Sequence, residues 1–270
     1  MLNTEKRNPN TKHIDKMSTA EMLSVIQKEN VNAVNAVGCA LNSITEADDL
    51  AFESVKKGGR KIYIGAGTSG RLGVVDASEC PPTFGVSPNT VVGVIAGGKD
   101  AMFRSSENTE DIGESGIADL KAINLSENDI VMGISAAGGA GYVIKALEYA
   151  KSLGCKTVGI TANENTLLGK TADVEIVTDT GPEVITGSTR MKAGTAQKLV
   201  LNMISTSVMV KMGYVYENLM INLKPGNSKL KGRMVRIVSE ILEIENDKAE
   251  ALLNENGFNI KAAIKAYKGE

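Results

Sequence analysis

The chain has 270 residues, 42% of them hydrophobic, which is enough for one large domain, alone or with small appendages, around a sizeable buried core. Thirty basic and 32 acidic residues leave a formal net charge of −2 with no basic block, so nucleic acid is a poor partner, and with no tryptophan and 4% aromatics a platform of stacked rings for carbohydrate is not expected. The three cysteines, Cys39, Cys80 and Cys155, are far apart and have only His13 to help them, so they form no Cys/His metal set and read as reduced thiols of a cytoplasmic protein.

Residues 1–17 are polar and lack the apolar h-region of a secretory signal; they read as an extended or irregular arm. Ser18-x-x-Glu21 is a capping-box pattern that starts a helix, and Met22, Val25, Ile26, Val31, Val34 and Val37 follow helical spacing. A second helix is expected from about Thr45 to Lys57, stopped by Gly58-Gly59. No apolar stretch approaches the roughly 18 residues of a membrane span.

The texture then changes. Short, near-continuously apolar runs at Lys61–Gly65, Val91–Ala96, Asp129–Ser135, Lys156–Thr161 and Asp173–Val177 alternate with helical segments such as Tyr142–Leu153. Runs of that kind suit strands covered on both faces. The series is βαβ and predicts an α/β fold with a parallel sheet and right-handed crossovers. A long helical stretch follows from Ser188 to Met212, and after "LKPGNSK" two or three short helices close the chain as a small bundle.

The first strand runs into Gly65-x-Gly67-x-x-Gly70, the spacing of a dinucleotide fingerprint. A dinucleotide fold needs an acidic residue at the end of the second strand for the ribose hydroxyls. Here that strand ends in Ala96-Gly97-Gly98, with no carboxylate before Asp100, so a nicotinamide cofactor is not expected. What the loop offers is Gly67, Thr68, Ser69, Gly70 and Arg71 at a helix start, where outward N–H groups and hydroxyls suit a single phosphate. A second cluster, "TGSTRMKAGT", carries Thr186, Ser188, Thr189, Arg190, Lys192 and Thr195 and again opens a helix. Arg190 and Lys192 are candidates to neutralise an anion. Together the loops predict a small anionic ligand at the carboxyl edge of a parallel sheet.

"GAGTSGRLGVVDASECPPTFG" and "GPEVITGSTRMKAGTAQKLVLNMIST" closely resemble the N-acetylmuramic acid 6-phosphate etherase family of sugar-isomerase (SIS) domain proteins, and the resemblance runs nearly end to end from "TEKRNPNTKHID". It implies a five-stranded flavodoxin-like SIS fold and a lyase without a cofactor or metal, acting in cell-wall sugar recycling. In that family the D-lactyl ether at C3 of the sugar phosphate is cleaved by elimination and water addition, which suits one protonated and one ionised carboxyl group. The family's acid maps onto Glu79 in "ASECPPTFG" and its second catalytic glutamate onto Glu110 in "SENTEDIGESG", where Glu107, Asp111 and Glu114 are close by. The resemblance also implies a homodimer with the active site near the subunit interface.

One loop departs from the family. Where Ser-Ala-Ser-Gly-Arg-Thr-Pro is usual, this chain keeps Ser135 but has Ala137-Gly138-Gly139-Ala140-Gly141. Two hydroxyls and a cation are gone from the expected grip on the 6-phosphate. Each lost charge-assisted bond costs roughly 1.5–3 kcal/mol, so two uncompensated losses weaken binding by about two to four orders of magnitude. Backbone N–H groups, Thr68, Ser69, Ser188 and Thr189 are candidate substitutes. Three readings stay open: an etherase with a rebuilt loop, an SIS enzyme for another sugar phosphate, or a non-catalytic sugar-phosphate sensor. The expected division is an N-terminal arm and helices to residue 58, an SIS domain over 59–222 and a helical subdomain over 223–270.

Overall fold

Ser18 opens the first long helix. Its backbone N–H donates to the Glu21 carboxylate at 2.8 Å and its hydroxyl accepts from the Glu21 N–H at 3.4 Å, which closes the capping box. In the computed structural model, which describes residues 1–104, 106, 108–226 and 228–269, α1 (Thr19–Cys39) and α2 (Leu41–Lys56) follow this cap. The second helix starts four residues before the expected Thr45. Polar Asn42 and Ser43 lie on its outer side and dilute the apolar pattern, whereas Ile44 is already buried.

The strands form where the β-branched runs stand: β1 (Lys61–Gly65), β2 (Val91–Ile95), β3 (Ile130–Ile134), β4 (Lys156–Thr161) and β5 (Val174–Val177). All pair in parallel, in the order β2-β1-β3-β4-β5, so the α/β fold with a five-stranded parallel sheet is as expected. Between them lie α3 (Gly67–Phe84), α4 (Gly113–Ala122), α5 (Gly141–Ser152) and α6 (Leu167–Thr171); α7 (Lys192–Lys211) follows β5. Side chains alternate across the pleat. Ile62, Ile64 and Val131 pack with Leu120 of α4, Val143 and Leu147 of α5 and Leu168 of α6. Tyr63 points to the other face, where its hydroxyl donates to Asp76 of α3 at 2.7 Å. Asn202 and Ser205 of α7 donate to the same carboxylate, so one buried aspartate ties two helices to β1.

The amino edge of the sheet is closed by charge. Arg60, just before β1, grips Asp129, just before β3, through Nε and Nη2, the latter at 2.6 Å. Burial raises the Asp129 pKa, but the Arg60 and Ser126 bonds outweigh it and hold the carboxyl below its ordinary range. Beside it the Cys155 thiol is pushed up to about 11, by burial first and by the negative Asp129 second. All three cysteines are free.

The arm is irregular as expected but not extended. It winds through three short 3₁₀ turns, Asn3–Glu5, Pro9–Thr11 and Ile14–Lys16, and buries Thr4, Asn8 and Thr11. Those side chains bond to distant backbone and amides, contacts that no local periodicity announces.

The chain divides into two compact units, Met1–Ser78 with Asn89–Val208, and Glu79–Pro88 with Met209–Glu270. The limits expected at residues 58 and 222 do not coincide with this division. The second unit contains a hairpin, β6 (Val215–Tyr216) with β7 (Leu219–Met220), and three helices, α8 (Ser228–Leu242), α9 (Asn246–Glu255) and α10 (Ile260–Lys268). Met234, Val238, Leu253, Ile260 and Ile264 form its core. Asn222 donates its side-chain amide to the Phe84 carbonyl at 2.8 Å, which joins the two chain segments of this unit.

Candidate active site

In the sheet order, β1 sits between β2 and β3, so the chain leaves the carboxyl ends of β1 and β3 toward opposite faces. That reversal opens a crevice, the usual ligand position in open parallel sheets. A cavity of about 250 Å³ occupies it in the first unit. Its lining includes Thr68 and Ser69 after β1, Ser135 after β3, Thr189 before α7, and Glu110.

The first loop is set by close approach. A Cβ at Gly70 would lie 2.5 Å from the Gly65 carbonyl oxygen and 2.7 Å from Ile95, so only glycine lets the helix start so near the strand end. The first N–H groups of α3, at Gly67, Thr68 and Ser69, have no carbonyl of their own helix to meet and carry its partial positive charge. Ser69 is nearly buried and its hydroxyl bonds Gln197 of α7 at 3.0 Å. Gln197 is 1% exposed and keeps its other amide atom unpartnered among the described residues, a residue the sequence reading missed.

The altered loop forms a tight turn. Gly138 has φ +71° and donates its N–H to the Ser135 carbonyl and to Ser135 Oγ, at 3.0 and 3.1 Å. Ser135 thus accepts a bond that fixes the turn and keeps its hydroxyl proton for a ligand. The N–H groups of Ala136, Ala137 and Gly139 meet no acceptor among the described residues. Ala137 and Ala140 line the cavity, while a Cβ at Gly139 would meet nothing within 4 Å.

Not every predicted residue converges here. Gly70 and Arg71 do not line the cavity; Arg71 donates to the carbonyls of Met102 and Arg104 and secures the segment before Glu110. Ser188 and Arg190 stand outside the lining, and Arg190 is exposed. Lys192 is 1% exposed, and its ammonium lies 2.6 Å from Glu29 of α1, not in the cavity. Its backbone N–H and that of Ala193 both donate to the fully buried Glu183, which caps α7. Glu29 also accepts from Asn8 and Asn10. Burial raises the Glu29 pKa, yet the bonds from Lys192, Asn10 and Asn8 prevail and the carboxyl sits below its ordinary range.

Glu110 borders this cavity and an adjoining one of about 420 Å³ that Asn108 and Asp111 also line. Glu107 lies outside the described residues. Glu79 is exposed on α3 and belongs to the second unit. The helix runs on through Pro81 and Pro82, which remove two N–H donors from its ladder, and closes where Gly85 donates to the Pro81 carbonyl. The cavity gains one carboxylate that the motifs did not single out, Glu5 of the arm.

Comparison with known proteins bears on the family and the fold. Residues 98–207 match the SIS domain, and residues 43–151 match the glucokinase regulatory protein N-terminal SIS domain. N-acetylmuramic acid 6-phosphate etherase of Caldanaerobacter subterraneus subsp. tengcongensis is 54% identical over 269 residues, covering 100% of this chain and 88% of the relative. The chain belongs to the N-acetylmuramic acid 6-phosphate etherase family. Two further etherases, from Clostridium beijerinckii and Bacillus licheniformis, are 51% and 50% identical over 263 residues, each with 97% of this chain and 86% of the relative covered. Among solved structures, a putative phosphosugar isomerase from Bacteroides fragilis superposes with a TM-score of 0.56 at 22% identity, over 76% of this chain and 98% of that one. A phosphoheptose isomerase from Francisella tularensis gives 0.56 at 16% identity, over 71% and 98%. These structures share the SIS fold with this chain. Among its described residues no helix is long and apolar enough to cross a membrane, and no group of three or more His, Cys, Asp or Glu could hold a metal ion.

Proposed function

We propose that this chain cleaves the D-lactyl ether at C3 of N-acetylmuramic acid 6-phosphate, consuming one water and releasing N-acetylglucosamine 6-phosphate and D-lactate. The observation that carries the reading is the meeting of hydroxyl-bearing loops and Glu110 in one cavity of a member of this family. The opened sugar has an aldehyde at C1, which acidifies its C2 proton. With Glu79 as the acid that protonates the departing lactate oxygen, Glu110 is the base that removes that proton. The double bond formed between C2 and C3 then takes water at C3.

The 6-phosphate rests on hydroxyls and backbone rather than on cations. Thr68, Ser135 and Thr189 supply O–H donors, Ser69 supplies its backbone N–H because its hydroxyl already donates to Gln197, and the N–H groups of Ala136, Ala137 and Gly139 take over from the side chains the loop has lost. Lys192 is reserved for Glu29 and serves the scaffold. Exposed Glu79 fits a homodimer in which one subunit completes the other's site. A phosphorylated substrate and three free cysteines suit the cytoplasm.

The test is D-lactate release from N-acetylmuramic acid 6-phosphate by the purified protein, with Glu79→Gln and Glu110→Gln alongside. Release that both variants lose supports the proposal. No release, with the sugar phosphate still raising the melting temperature, points instead to a sensor or to an enzyme for another sugar.

A further inference from the structure

The arm before α1 is stitched along the carboxyl edge of the sheet. Asn3 donates to Asp179 at 2.7 Å, Asn8 to the Pro182 carbonyl at 3.0 Å, and Thr11 to the Val184 carbonyl at 2.8 Å. Thr4 is 1% exposed and exchanges two bonds with Asn163: its N–H donates to Oδ1 at 3.3 Å and its Oγ1 accepts from Nδ2 at 3.1 Å. The same Asn163 amide donates to the Ala136 carbonyl at 3.0 Å. One buried side chain therefore locks the arm to the loop that carries Ser135 and Ala137.

Glu5 follows Thr4 and is held by that lock, yet its own side chain is exposed and lines the cavity with Thr68, Ser135, Thr189 and Glu110. Its carboxylate has no hydrogen bond or ion pair among the described residues. The neighbouring surface is Gly187, where an added Cβ would come within 3.4 Å of Glu5 Oε2. An anchored backbone that delivers an unpaired carboxylate to a polar cavity suits a ligand-binding group better than a structural one.

We propose that Glu5 binds the substrate's uncharged donors, a sugar hydroxyl or the acetamido N–H, and so orients the ring above Glu110. The inference rests on the etherase reading. The loop hydroxyls and free N–H groups donate and suit the phosphate; a carboxylate only accepts and repels it. Glu5 thus gives the cavity a polarity that admits the phosphate one way round.

The test measures KM and kcat on N-acetylmuramic acid 6-phosphate, and the Kd for N-acetylglucosamine 6-phosphate, for wild type, Glu5→Ala and Glu5→Gln, with inorganic phosphate as competitor. Glu5→Ala is expected to raise KM and Kd at least tenfold, with kcat within about threefold, consistent with the loss of a charge-assisted bond. Glu5→Gln, which keeps one acceptor oxygen, should recover part of the affinity. Inhibition by inorganic phosphate and the melting temperature should stay as in wild type. Unchanged KM and Kd in Glu5→Ala would overturn the proposal, as would a loss confined to kcat, or phosphate affinity falling in step with sugar-phosphate affinity. If the wild type binds N-acetylglucosamine 6-phosphate but releases no D-lactate, the etherase reading fails and Kd alone decides the role of Glu5.

Discussion

The ammonium of Lys192 lies 2.6 Å from a carboxylate oxygen of Glu29, with the two side chains 1% and 6% exposed. The pair joins the start of α7 to α1, and through Asn8 and Asn10 it holds the arm as well. Removing one partner of such a pair leaves a buried charge without compensation, which costs about 3–5 kcal/mol. Lys192→Met should therefore lower the urea midpoint by that equivalent. KM for the sugar phosphate should stay within a few-fold, provided the variant is assayed well below its midpoint. A KM rise matching the loss of a phosphate ligand, without loss of stability, would return Lys192 to the binding site.

The same pair sets an acid limit. The Glu29 pKa is depressed in the folded chain, so its ionisation favours folding. That stability is fully present above the unfolded value, near 4.3, and is lost as pH falls through the lower folded value. Urea midpoints measured between pH 6 and 3 should fall more steeply in wild type than in Glu29→Gln, which starts lower and lacks this proton uptake. Parallel curves would show that Glu29 does not titrate as described.

The altered loop predicts its own repair. Ala137 lines the cavity and is half-buried, so Ala137→Ser should add a hydroxyl donor and tighten N-acetylglucosamine 6-phosphate several-fold, about 1 kcal/mol. Gly138→Ala should do the reverse. Its Cβ would stand 2.4 Å from the Thr166 Cβ at a φ of +71°, and the turn that presents the free N–H groups would open. Calorimetric titration of both variants checks the pair.

Much of this was legible in the sequence, and the rest was not for physical reasons. The strands announced themselves because each is a short β-branched run covered on both faces, and Ser18 with Glu21 carried its cap within four residues. The glycine loop was readable because Gly70 answers a local steric demand. Lys192 was misplaced as a phosphate ligand because its partner, Glu29, is 163 residues away. Glu5 went unnoticed because its place depends on Thr4 meeting Asn163, 159 residues on.

Glu79 bears on assembly. It is exposed and belongs to the second unit, whereas Glu110 belongs to the first. If each subunit of a homodimer lends Glu79 to its partner, inactive Glu79→Gln and Glu110→Gln chains should complement. Refolded together in equal amounts, they should regain about a quarter of wild-type activity, since half the dimers are mixed and each holds one intact site. No recovery would place both glutamates of a site on one chain.

The most direct test of the central claim follows the reaction in ¹⁸O-labelled water. Elimination with water addition breaks the bond between C3 and the lactyl oxygen, so the label should appear at C3 of N-acetylglucosamine 6-phosphate, with D-lactate unlabelled. Label in D-lactate, with none at C3, would mean that water attacks the lactyl carbon and would contradict the elimination assigned to Glu79 and Glu110.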